Sequence, residues 1–149
     1  MPPSTAVIPG GDAYPFLRAA TTAVRHHTRA QPDPDTTTAP PADRLHLDTL
    51  HAHLTALHLL VDRLAEATRP ERPAATRNLA TAHARLWQAA DAVHEAFHLL
   101  PAPESGAGEC RPERLPEGPP VLTICQRHLA ASHAVRRKTT TATLAVPAP

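Results

Sequence analysis

At 149 residues, with 42% apolar residues and a formal net charge of +1, the chain is sized for one domain. It carries too little net charge to hold a polyanion by bulk attraction. Tyr14, Phe16, Trp87 and Phe97 are its only aromatic residues, so a core must come from Leu, Val and Ala, which suits packed helices better than a β-sandwich.

The eighteen prolines fall in clusters at 2–15, 32–41, 70–73, 101–120 and 147–149. A proline inside a helix costs about 3 kcal/mol, so the clusters mark connections and the gaps between them mark helices. Residues 1–13 are expected to be disordered. They have no basic start and no apolar run, so they do not read as a signal peptide. A first helix is predicted from about 14 to 30. Asp12 is placed to cap it, Pro15 suits its first turn, and Phe16, Ala20, Ala23 and His27 form a weak apolar stripe. Residues 31–42 read as a linker.

The second helix, about 43–68, has the clearest pattern. Leu47, Leu50, Leu54, Leu57, Val61 and Leu64 recur at alternating spacings of three and four, a heptad seam. The third, about 74–100, repeats it with Leu79, His83, Leu86, Ala90, Val93, Phe97 and Leu100. The connection at 69–73 is short, so the two should form an antiparallel hairpin. With the seams facing each other, His51 and His58 flank one helix and Trp87 and His94 the other. His58 then comes level with His83, and His51 with Ala90. His51, His58, His83, Trp87, Asp91 and His94 share one side of the hairpin, with Asp62 and His98 at its margin. His51 and His94 should lie within about 10 Å.

A proline-rich loop, 101–120, precedes a fourth helix predicted at about 121–138. Val121, Ile124 or Cys125, His128, Ala131 and Val135 can face the hairpin, and Arg136, Arg137 and Lys138 suit its C-terminal end. The tail 139–149 is expected to be disordered. The expected fold is therefore all-α: a four-helix bundle built on the long hairpin, one domain over 14–138. No apolar run approaches the roughly 18 residues that span a bilayer. Cys110 and Cys125 make no disulfide framework, and a soluble cytoplasmic protein with reduced thiols is expected.

Seven of the eleven histidines lie in the two hairpin helices. One set, His94-Glu95-Ala96-Phe97-His98, has the H-E-x-x-H spacing of zinc peptidases, where two histidines four apart bind zinc and the glutamate polarises water. The context argues against that activity. Glu104 is the available third ligand, but Pro101 ends the helix where a glycine would be needed. No strand is visible to hold substrate, and Glu95 points away from the apolar seam. Glu95 is thus the single catalytic candidate, and non-enzymatic readings are preferred.

Two metal sets are candidates. His51, Asp91, His94 and His98 occupy facing helix flanks, as in bundle metal sites. Cys110, Cys125 and His128 form the alternative, because Cys125 and His128 are one helical turn apart. Neither set has a ligand spacing specific enough to name the metal; no cofactor is expected, with zinc as the candidate should an ion bind. Against both stands the ordinary role of such residues. A flanking histidine is commonly a half-buried, hydrogen-bonded side chain, His83 reads as a satisfied core residue, and Cys125 reads as a small hydrophobe. Nucleic-acid binding has only the basic end of the fourth helix in its favour and no aromatic interleaving. Nucleophilic catalysis by Cys125 with His128 lacks any oxyanion-stabilising motif.

The segment 112–129 (PERLPEGPPVLTICQRHL), continuing through Arg136-Arg137-Lys138-Thr139-Thr140, resembles a small uncharacterised family of actinobacterial, Streptomyces-type helical proteins. So do 47–58 (LDTLHAHLTALH) and Leu86-Trp87-Gln88-Ala89-Ala90. The resemblance covers about 43–140. It implies a domain of unknown function, brings no catalytic residues, and implies that 110–120 and the start of the fourth helix form a functional surface. The reading preferred from sequence is a small cytoplasmic interaction or accessory protein that binds a protein partner or itself through helical faces. The alternative is a metal-binding helical bundle.

Overall fold

A computed structural model describes residues 11, 13–33, 35, 41–102 and 123–138, of which 136–138 by their backbone alone. Four helices follow one another: α1 (Pro15–Ala30), α2 (Arg44–Thr68), α3 (Pro73–Leu99) and α4 (Ile124–Lys138). The described residues hold no strand, and the protein is all-α. The expectations placed on Asp12, on Cys110, on most of the 101–120 loop and on the two ends fall outside the described residues.

The chain divides into two compact units, 1–41 and 42–149. In the first, α1 begins with Pro15 in its first turn, where a missing N–H costs nothing. Its N-cap is Tyr14, whose side chain makes no capping bond, and none of its residues is buried.

The second unit is built on the hairpin. Asp43 caps α2, its Oδ1 accepting from the His46 N–H at 2.7 Å. The turn closes through the Arg72 N–H donating to the Thr68 carbonyl at 3.0 Å, and Pro73 opens α3. At the far end, Arg44 donates twice to the Leu100 carbonyl, at 3.0 and 2.8 Å, and lies over the Phe97 ring. A cation thus sits at the negative end of α3, tying the start of α2 to the end of its partner.

Helix α4 packs against both hairpin helices. It begins at Ile124, three residues later than the sequence suggested. Pro119-Pro120 allows a helix from Val121, but a reciprocal cap decides the start. The Gln126 N–H donates to Thr123 Oγ1 at 3.3 Å, and the Thr123 N–H donates to Gln126 Oε1 at 3.0 Å. That is a capping box, spaced Thr-x-x-Gln.

On α3 the buried line is Thr76, His83 and Ala90, with Leu79, Leu86, Val93 and Phe97 half-buried beside it. This is the expected seam. On α2 the expected seam is displaced. The buried residues are His51, Thr55, His58 and Ala65, whereas Leu50 and Leu64 are 40% and 47% exposed. The cause is α4: α2 is covered on two sides, by α3 and by α4, so burial centres on the residues facing the angle between them. Leu47, Leu54, Leu57 and Val61 form the half-buried edge of that stripe.

Candidate metal centre

The buried histidines of this core meet at successive levels along the hairpin. Nearest the turn, His58 and His83 stack with ring centroids 3.8 Å apart. Each Nδ1 points at the other residue's backbone carbonyl, at 3.0 and 3.1 Å. A carbonyl only accepts, so both rings carry their proton on Nδ1. Thr55, also buried, returns its hydroxyl to the His51 and Ala52 carbonyls of its own helix.

One level further along, α4 contributes its own residues. Arg127 binds Asp48 through the carboxylate and through the backbone carbonyl at 3.1 Å. This ion pair sets the register of α4 against α2. His128 is then held between Trp87 and His94, stacked on the latter at 4.4 Å and 10°. His128 Nε2 reaches Asp91 Oδ1 at 3.0 Å, and His128 Nδ1 faces His51 Nε2 at 3.4 Å. When His128 donates to Asp91, its Nδ1 accepts from the His51 Nε2–H. The remaining nitrogen of His51, Nδ1, is then a bare lone pair, and it has no hydrogen-bond partner. His51 is fully buried. That burial first, and then the neighbouring Arg127, His128 and His94, push its pKa down to about 4.

Beyond His128 lies the convergence that could hold a metal. His94 Nε2 and His98 Nε2 are 3.1 Å apart, and Cys125 Sγ is 3.2 Å from the first and 3.3 Å from the second. The three corners of that triangle lie about 1.9 Å from a common centre, just inside Zn–N and Zn–S bond lengths of roughly 2.0–2.3 Å. An ion displaced slightly from the plane meets all three. His94 and Cys125 are shielded, while His98 is exposed and opens the group to solvent. Burial, with His128 and His98 nearby, holds the His94 pKa below the usual histidine value, against the smaller opposing effect of Glu95 and Asp91. A neutral imidazole is the form that binds metal.

The site thus draws from both sequence-derived sets and completes neither. His94 and His98 come from the first; its other members, His51 and Asp91, meet at His128 instead. From the second set, Cys125 joins the two histidines, while His128 turns to Asp91. Cys110 lies outside the described residues. The expected approach of His51 and His94 is observed, with ring centroids 6.1 Å apart. The expectation of reduced thiols requires correction, because Cys125 is disulfide-bonded and no cysteine is free among the described residues. The Glu95 side chain is 73% exposed, and its carboxylate lies 3.9 Å from His94 Nδ1, the nitrogen not turned toward Cys125. Sequence reasoning missed the role of Arg127. Its only signal was its place on α4, two residues past Cys125 and one before His128.

Fold and site together define an all-α protein with a histidine-lined hairpin and a His-His-Cys cluster where a third helix meets it. The chain belongs to the Family of unknown function (DUF6238), whose pattern matches residues 2–149. No curated protein and no solved structure matches it significantly.

Proposed function

We propose that this protein is a non-enzymatic, zinc-type metal-binding helical bundle that serves as an accessory protein, its ion held by His94, His98 and Cys125. The observation that carries the reading is the meeting of two imidazole Nε2 atoms and one sulfur, all within 4.8 Å of one another. Two nitrogens and one sulfur suit zinc, and three protein ligands leave a fourth place for water or another donor. His98 and Cys125 come from different helices, so an ion would cross-link α3 to α4 and stabilise the fold by linkage. The exposed position of Glu95, beside Nδ1 of His94, supports no role for it in polarising a metal-bound water. The peptidase reading therefore ranks below simple binding.

The test is metal content by mass spectrometry on untagged, reduced protein, before and after chelator, with a melting curve for each sample. One equivalent of zinc and a melting temperature lowered by chelator support the proposal. Trace metal and an unchanged curve overturn it.

A second reading, association through a helical face, is favoured by one observation. Leu50, Leu60 and Leu64 are exposed along one strip of α2, with Leu57 half-buried between them. Their spacing is heptad-like, which suits a protein partner or a second copy of the chain.

A further inference from the structure

We propose that the thiol–disulfide state of Cys125 controls the metal site: the reduced protein binds the ion, and the disulfide form does not. This rests on the metal-binding reading above and deepens it. Two observations meet at one atom. Cys125 Sγ is the sulfur that faces both imidazoles, at 3.2 and 3.3 Å, and Cys125 is disulfide-bonded. Both states cannot be served at once. The thiolate is the metal ligand among cysteine's forms; a disulfide sulfur has no negative charge to offer and already shares an electron pair with another sulfur. In the disulfide form the cluster therefore reduces to His94 and His98, two neighbouring nitrogens on one face of α3.

The chemistry balances with a dithiol as reductant. A thiolate of the dithiol attacks the protein disulfide, and the mixed disulfide resolves through the second thiol. Two electrons pass to the protein, its S–S bond breaks, two protein thiols form, and the reductant leaves as its own disulfide. The chain's other cysteine is Cys110. Metal binding then displaces the Cys125 thiol proton to solvent as the sulfur–metal bond forms. The reverse order also holds: an ion bound to Cys125 ties up the thiolate and slows its oxidation. His94 and His98 both lie on α3, so the proposal assigns the change in affinity to the sulfur.

The experiment uses the full chain in two samples: fully reduced, with reductant removed under anaerobic conditions, and fully oxidised, each verified by the mass added on thiol alkylation. Each is titrated with Co²⁺ alone and then with Zn²⁺ alone. Loss of an outer-shell partner already costs roughly 10–100-fold in metal affinity, so loss of a ligand should cost about 100-fold or more. The expected result is one equivalent bound by the reduced protein, with thiolate-to-cobalt charge-transfer absorption, and binding at least about 100-fold weaker by the oxidised protein. C125S should bind weakly in both conditions and lack that absorption. Zinc should also slow alkylation of the reduced protein. Equal affinity in both states overturns the redox control and leaves the metal reading standing. Failure of both samples to bind either ion overturns the metal reading itself, and the control with it.

Discussion

At the residue scale, the buried histidines of this protein do two different things, and burial alone does not distinguish them. His58 and His83 stack, each Nδ1 donating to the other residue's backbone carbonyl, and behave as core residues. Replacing His58 with Ala removes a stacked ring and leaves a cavity, and should cost about 2–4 kcal/mol, read from the denaturant midpoint. A change below about 0.5 kcal/mol would mean that the stacked pair does not hold the hairpin. His51 is held neutral. Its folded pKa, about 4, lies below the unfolded value of 6.5, so the unfolded chain binds the proton more tightly. Its contribution to stability is present above pH 6.5 and is lost as pH falls from there toward 4. Arg127 and His128 from α4 and His94 from α3 are the charged or titratable groups that act with burial on it. The melting temperature of metal-free protein should drop across that window. H51L should show a shallower slope, and an identical slope would remove His51 as its source.

At the element scale, α4 brings the sulfur to the histidines, and its position depends on two polar devices. The Thr123–Gln126 capping box decides where the helix begins, and Arg127–Asp48 anchors it to α2. Thr123→Ala should cost about 1 kcal/mol, measured by urea unfolding; no change would mean that the box forms without stabilising. Ala90 is completely buried in α3. Ala90→Leu should destabilise by about 1–3 kcal/mol through overpacking. A neutral or stabilising result would show unfilled space along that seam. On α2, the exposed strip Leu50, Leu60 and Leu64 predicts concentration-dependent association by sedimentation. The double variant L50E/L64E should abolish it while keeping the helical circular dichroism.

At the scale of the whole molecule, an ion bridging α3 and α4 couples metal to folding. At free zinc about a thousandfold above Kd, linkage adds about 4 kcal/mol. The melting temperature of the reduced protein should therefore climb with zinc concentration, and a flat dependence would show that the ion does not stabilise the folded chain.

What could be read from the chain at this scale has a clear boundary. Proline positions located all four helices, because a missing N–H and a fixed φ act locally wherever they occur. The short turn at 69–73 paired α2 with α3, and the period of the apolar residues aligned α3 correctly. It also brought His51 near His94 and His58 beside His83, since a hairpin's register follows from its turn. Tertiary structure alone decided where α4 lies, because a connection as long as 101–120 sets no register for the helix that follows it. That placement rotated the buried face of α2 away from Leu50 and Leu64. It gave Asp91 and His51 to His128, and it brought Cys125 to His94 and His98. The residue types of a metal site were visible in the sequence; their grouping depended on a contact between distant segments.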